Sequence, residues 1–336
     1  MNPIKNIEIK NFKSIRHIKI DDCRRINVFV GYPNTGKSNI LEALGLYGTL
    51  LNDEFFGFND ICRVKRFSEL FFNKDYRNAS KITINDRLLL ELLINQENDL
   101  ELRGHEERGQ NDLFIATINS RDFLVRRSKD MSESSLKGFV APIKKYDFKN
   151  DVTINRQKPF SLAVPFGANL LDILHRDSGL RKEIAILFEE YNQKLVVDDD
   201  EIIFLKYLND DTGVSIPYHL VADTLKRLIF YKAAIISNRE SILLFEEPEA
   251  HMFPPYISKF TGDIWYNKDN QYFITTQSPF VVNDFLENAR EELAIYVVEY
   301  EKVKGETVIK RLTDEQIHEA YQYGVDIFFN LESITE

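Results

Sequence analysis

Residues 31–38 read Gly31-Tyr32-Pro33-Asn34-Thr35-Gly36-Lys37-Ser38, and this G-x-x-x-x-G-K-S spacing is suited to one kind of chemistry. Its two glycines free the backbone for a tight loop whose successive N–H groups form a concave anion site. Lys37 adds a mobile positive charge for β- and γ-phosphates, and Ser38 brings a hydroxyl suited to magnesium. The pattern implies a nucleoside triphosphate contacted by Gly31, Asn34, Thr35, Gly36, Lys37, Ser38 and Asn39. A chance glycine loop between a strand and a helix is the alternative.

A second run, Ser241-Ile242-Leu243-Leu244-Phe245-Glu246-Glu247-Pro248-Glu249, joins four apolar residues to carboxylates. That pattern predicts a central parallel strand carrying its acids to the C-terminal edge of a sheet, where ligands of open α/β sheets collect. Glu246 is expected to hold magnesium with Ser38, directly or through water. Glu247 is expected to orient and deprotonate an attacking water. A plain acidic turn is the alternative. The third run, Gln271 to Pro279, also passes from apolar to polar and would set Thr276, Gln277 and Ser278 beside the γ-phosphate. The expected catalytic set is thus Glu247, Lys37 and Gln277, and no covalent nucleophile is required.

These groups need elements to position them. The apolar run 26–30 reads as a buried strand before the loop, and Ser38 to Leu44 reads as a helix after it. Alternation at Ile7, Ile9, Ile15, Ile18 and Ile20 predicts two further strands forming an antiparallel ribbon. Asn11 to Ser14 would be its turn, with Lys13 or Arg16 reaching the phosphates or the base, or standing as surface charges. The aromatic residues Phe55, Phe56, Phe58, Phe67, Phe71 and Phe72 suit packing better than base stacking. Segments 81–85, 88–94, 99–103, 113–118 and 122–127 read as a β-meander extending the antiparallel sheet. Segments 169–174 and 180–194 have helical spacing, ahead of a strand at 201–208. Ser128 to Lys137 is poor in apolar residues and reads as weakly ordered. Thr313 is a plausible N-cap for a helix leading to the aromatic run Ile327-Phe328-Phe329, which either closes the domain or meets a partner.

Together the phosphate loop, the Glu-Glu-Pro-Glu-Ala-His run at 246–251, Thr-Thr-Gln-Ser-Pro at 275–279 and Ile9-Lys10-Asn11-Phe12-Lys13-Ser14-Ile15 resemble the ABC-type ATPase heads of the SMC, RecF and OLD group. They look most like short bacterial "AAA family ATPase" proteins often encoded beside phage-defence effectors. The resemblance implies an α/β fold: a P-loop ABC-type head with a mixed central sheet, an antiparallel β-lobe and an inserted helical lobe. It implies an ATPase core at 1–60 and 216–310, an insertion at 61–215, and a C-terminal helix and tail at 311–336. ATP and Mg²⁺ are the implied cofactors.

In such heads two copies close around two ATP molecules, each completing the other's site with a signature segment ahead of a helix. The matching stretch here is Leu220 to Arg227, just ahead of a largely apolar helix expected over Leu228 to Ile236. Asp223 or Thr224 would cap that helix and lie near the partner's nucleotide. His251 matches a histidine placed at that interface in relatives. Val221 and Asp223 stand where the group usually has Ser and Gly, and Gln277 stands where it has histidine. Both departures imply slow hydrolysis. The implied role is a regulatory or scaffold ATPase that pairs head to head and controls a separately encoded effector, a nuclease being the first candidate, in antiphage defence. The alternative is a RecF- or SMC-like repair ATPase that binds DNA directly.

Composition narrows these readings. With a formal net charge of −10 over 336 residues, nonspecific wrapping of nucleic acid is disfavoured. Local basic candidates are Arg63-Val64-Lys65-Arg66, Arg121, Arg126-Arg127 and Lys144-Lys145. No apolar run approaches the roughly 20 residues that span a bilayer, and Met1 to Asn6 lack a signal-peptide core, so a cytoplasmic protein without membrane contact is expected. Two cysteines, Cys23 and Cys62, are too few for a disulfide framework or a four-cysteine zinc site.

Overall fold

Alternating burial makes Ile7–Phe12 (β1) and Ile15–Ile20 (β2) an antiparallel pair whose isoleucines point to one side. The structure, a computed structural model, describes residues 1–51, 58–106, 112–121, 123, 125–129, 138–152, 160–208, 212–324 and 326–330. Phe55 and Phe56 fall outside these residues, as does most of the stretch Ser128 to Lys137.

Contacts divide the chain into two compact units, one of residues 1–145, 240–247 and 269–336, the other of 146–239 and 248–268. The first unit carries two sheets. In one, β1 and β2 are extended by Ser80–Ile84 (β4), Leu88–Ile94 (β5), Leu100–Glu106 (β6), Asp112–Ile118 (β7) and Val125–Lys129 (β8), in the order β2-β1-β4-β5-β6-β7-β8. All its pairings are antiparallel, so the meander continues the N-terminal ribbon as its periodicity predicts.

The other sheet holds Ile26–Val30 (β3), Ile143–Tyr146 (β9), Ile242–Glu246 (β13), Gln271–Thr275 (β14), Leu293–Glu301 (β15) and Glu306–Arg311 (β16), in the order β16-β15-β3-β14-β13-β9. β3, β14 and β13 run parallel, as does β15 beside β3, while β16 returns antiparallel to β15. Every residue of β3 and β14 is buried, the continuous apolar pattern expected of a covered parallel sheet. One row of the register, Glu246–Thr275–Phe29–Tyr296, crosses four strands, so three sequence-distant motifs end on one edge. Beneath it Phe29 stacks between Phe273 and Tyr296, at centroid distances of 6.3 and 5.1 Å. The helix after the phosphate loop, Lys37–Leu51 (α1), is tied to the meander by Tyr47, whose buried hydroxyl donates to a backbone carbonyl of that sheet, Ile82 O or Leu88 O. A short helix, Phe58–Ile61 (α2), follows, and Phe58 packs against Phe67 in a buried cluster.

The second unit is built from Leu170–Arg176 (α3), Ser178–Glu189 (α4), Asp223–Ser237 (α5), Pro254–Tyr266 (α6) and a three-stranded sheet of Gln193–Val197 (β10), Ile202–Tyr207 (β11) and Gly213–Pro217 (β12). Helical spacing at 180–194 holds only to Glu189. Asn192 takes a positive φ of 54°, and Gln193 and Lys194 enter β10 instead. The buried cation Lys232 on α5 pairs with Glu183 of α4 at 2.8 Å and with Asp263 of α6 at 2.6 Å.

The remaining helices, Pro279–Asn288 (α7) and Asp314–Tyr323 (α8), belong to the first unit. Thr313 caps α8 by accepting from Gln316 N, while the Gln316 side chain accepts from Thr313 N, a reciprocal box. In the aromatic run beyond it Ile327 is buried, whereas Phe329 is exposed.

Candidate functional site

The glycine loop owes its shape to contacts behind it. Gly31 (φ 151°) and Gly36 (φ 101°) adopt angles that a Cβ disfavours, and a Cβ at Gly31 would overlap Val298 O. At Gly36 it would overlap the hydroxyls of Thr307 and Ser14. Those hydroxyls are partners at 2.6 Å; Thr307 Oγ1 also donates to Thr35 O at 2.8 Å, and Asn39 Nδ2 donates to Ser14 Oγ at 2.7 Å. β16 and the β1–β2 turn thus buttress the loop, and Ser14 of that turn also borders the cleft. Sequence reading missed Ser14 and Thr307 as loop supports, because nothing local marks a contact across nearly the whole chain.

The cleft in front, about 470 Å³, is lined by Ser14, Pro33, Asn34, Thr35, Gly36, Lys37, Ser38, Asn39, Glu247, Gln277 and Tyr300. Lys37 Nζ donates to Gly31 O at 2.9 Å and Tyr32 O at 2.8 Å, folding its charge back over the loop. Glu247 has a φ of 41°, uncommon for a residue with a Cβ, and its N–H donates to Thr275 O at 3.0 Å. That turn lifts its carboxylate off the strand into the cleft, where Oε1 accepts from Gln277 Nε2. Thr276 is fully buried, its hydroxyl accepting from Ser278 N at 3.0 Å, so of the polar run 276–278 only Gln277 lines the cleft.

Glu246 lies one residue back and is almost covered, its side chain 9% exposed. Arg63 reaches its Oε1 at 2.5 Å and Lys145 lies 3.3 Å from its Oε2. Burial pushes this carboxyl up, but Lys145, the Ser38 hydroxyl and Arg63 outweigh it and hold it below the ordinary glutamate range. Glu246 Oε2 makes no hydrogen bond and Lys145 is its ionic neighbour. Of the basic runs noted in the sequence, two members face Glu246: Lys145 is buried, whereas Arg63 reaches it from a side chain that is 61% exposed, and Lys65 and Arg66 stay exposed. Lys13 is used likewise, paired with the buried Glu42, and does not line the cleft; Arg16 stands 4.0 Å from Glu306.

An ionised Glu246 with the Ser38 hydroxyl beside it is a hard-oxygen pair of the kind magnesium takes together with phosphate oxygens. No cluster of three or more His, Cys, Asp or Glu able to hold a metal occurs among the described residues. Ser38 and Glu246 would hold the ion, which would supply charge neutralisation at the β- and γ-phosphates.

The expected signature residues lie in the second unit. Asp223 and Thr224 do not cap α5: the N-cap is Ala222, without a side-chain bond, and helix begins at Asp223 rather than near Leu228. The Asp223 carboxylate is taken by Asn150 at 2.8 Å and Lys226 at 3.3 Å, and Thr224 Oγ1 donates to His251 O at 3.0 Å.

Residues 26–283 match the family described as "AAA domain, putative AbiEii toxin, Type IV TA system". The chain belongs to this family. At that level it is an ATPase domain of the AAA family, and its fold is that of SMC heads: it superposes on an SMC head bound to the C-terminal winged-helix domain of ScpA with a TM-score of 0.55 at 17% identity, covering 94% of this chain and 99% of that one. Among curated proteins it is 49% identical over 41 residues to an "ATP/GTP phosphatase" of Helicobacter pylori, 12% of this chain and 11% of the relative. It is 22% identical over 270 residues to "Protein ea59" of Escherichia phage lambda, 77% of this chain and 46% of the relative. The chain thus spans less than half the length of these curated relatives. No helix among the described residues is long and apolar enough to cross a membrane.

Proposed function

We propose that this chain binds and slowly hydrolyses ATP with Mg²⁺, and that the cycle opens and closes a pair of heads. The carrying observation is the single register row that brings Glu246 and Thr275 level with Phe29 of β3, two residues before the phosphate loop. In this reading Lys37 leaves the carbonyls of Gly31 and Tyr32 for the phosphates, and Ser38 and Glu246 hold magnesium. Glu247, aimed by its backbone turn and by Gln277, positions and deprotonates the water. Gln277 donates a hydrogen bond but brings no positive charge, which supports slow turnover. Asn34, Thr35, Gly36 and Asn39 line the phosphate end.

The residues Leu220 to Arg227 of one copy would face the other copy's nucleotide, with Asp223 and Thr224 nearest. ATP shifts the pair only by its differential affinity for the closed form. Output through a separately encoded effector, in a toxin–antitoxin or antiphage setting, is supported by the family's description and by the phage relative. A protein partner is also what the SMC head carries in its ScpA complex.

The test is phosphate release and light scattering with Mg-ATP. Wild-type protein is expected to turn over faster per chain as its concentration rises. Glu247→Gln is expected to lose about 10²–10⁴-fold in rate while accumulating an ATP-bound dimer. Flat specific activity with unchanged mass in ATP would sink the paired-head reading.

A further inference from the structure

β15 outlasts the strand it pairs with. Its last partner on β3 is Val30, opposite Val297, yet it continues to Glu301. Residues 298–301 therefore run on beside the phosphate loop, and Val298 O sits where a Cβ on Gly31 would. Two residues further, about 7 Å along the strand, comes Tyr300. Tyr300 stands directly opposite Thr307 in the β15–β16 register, so both side chains leave the same face of the hairpin. Thr307 is the residue whose hydroxyl holds Thr35 O. The tyrosine is thereby fixed at the border of the cleft, which it lines with Ser14, Pro33 and Asn34, and it remains 45% exposed.

Strand order gives the cleft a direction. Glu247 and Gln277 follow β13 and β14 on one side of β3, while Tyr300 rises from β15 on the other. A polyphosphate lying along the loop with its terminal phosphate toward Glu247 leaves its nucleoside end toward β15. Tyr300 is the one aromatic ring among the described residues that line this space. Gly305 in the adjoining turn (φ +67°) has its would-be Cβ 3.6 Å from the Tyr300 hydroxyl, at ordinary contact distance.

We propose that Tyr300 is the platform on which the nucleobase stacks. The inference rests on the reading that the cleft holds a nucleoside triphosphate, and it adds the group that recognises the nucleoside end. Stacking uses the π-face common to all bases, so the ring contributes affinity rather than base choice.

Titration calorimetry with Mg-ATP and with inorganic tripolyphosphate tests it on wild type, Tyr300→Ala, Tyr300→Phe and Lys37→Ala. Tyr300→Ala is expected to weaken ATP about 5- to 100-fold while leaving tripolyphosphate unchanged, and Tyr300→Phe is expected to bind ATP as wild type does. Lys37→Ala is expected to weaken both ligands. Equal ATP affinity in Tyr300→Ala and wild type overturns the stacking role. So does an equal loss of both ligands in Tyr300→Ala, which would make the ring a support for the loop. Wild-type protein that takes up neither ligand removes the triphosphate reading itself, and the stacking role with it.

Discussion

Glu246 in the first unit and Lys232 in the second are each a charge 9% exposed, held by two opposite charges. Their settings differ. Glu246 ends a strand at the C-terminal edge of the parallel sheet, beside the Ser38 hydroxyl; one of its cations, Arg63, has a side chain 61% exposed and is anchored from outside. Lys232 lies mid-helix, and its carboxylates come from the two helices α4 and α6. A buried ion pair is weak support for stability but costly to break from one side. The helical triad fits that description as a staple between three helices. The edge triad instead keeps a carboxylate ionised where a divalent cation could take over from the exposed guanidinium.

The sharpest way to break this contrast is to neutralise each centre. Glu246→Gln is expected to lower Mg-dependent phosphate release about 10²–10³-fold, whereas Lys232→Met leaves the rate per folded molecule unchanged. Equal rate losses in the two variants would erase the distinction. Next in size, Lys232→Met is expected to cost about 3 kcal/mol in urea unfolding at neutral pH, because Asp263 is left as a buried carboxylate.

The pH dependence separates the triads by sign. The Glu246 carboxyl is held below its ordinary value of 4.5, so its contribution to stability is full above that value and is lost as pH falls through the folded value. Burial works against the charge of Lys232, but Asp263 and then Glu183 outweigh it and raise it above 10.5. Its contribution is full below 10.5 and is lost as pH climbs through the folded value. Glu246→Gln should flatten the acid limb of a stability profile and Lys232→Met the alkaline limb; an exchange of the two outcomes would refute the assignments. Smallest is the loop buttress. Thr307→Val removes hydroxyl bonds to Ser14 and Thr35, with an expected cost of about 1–2 kcal/mol by thermal or urea unfolding and weaker ATP uptake by calorimetry.

What sequence reading caught and what it missed divide along the same physical line. β3, β13 and β14 were legible because a covered parallel strand must be continuously apolar and then stop in polar residues. The Thr313 cap was legible because a capping residue and the helix it caps are adjacent in sequence, whereas its reciprocal partner Gln316 emerged only from the structure. By contrast, Arg63 and Lys145 stood out in the sequence only as members of basic runs, since no local pattern says that a cation 183 or 101 positions upstream of an acid is its partner. The start of α5 was misplaced for a related reason. Asp223 and Thr224 are good capping residues, but their side chains are engaged by Asn150, Lys226 and His251 within the second unit. The capping chemistry was available, and tertiary contacts used it elsewhere.

β3 lies between β14 and β15, strands made more than 240 residues later, and the loop after it rests on Thr307. On the ribosome, the phosphate loop lacks Glu247, Gln277, Tyr300 and its Thr307 support until the segment through residue 311 has emerged. Until then β3 waits without its neighbours β14 and β15, the situation in which nascent chains draw on chaperones.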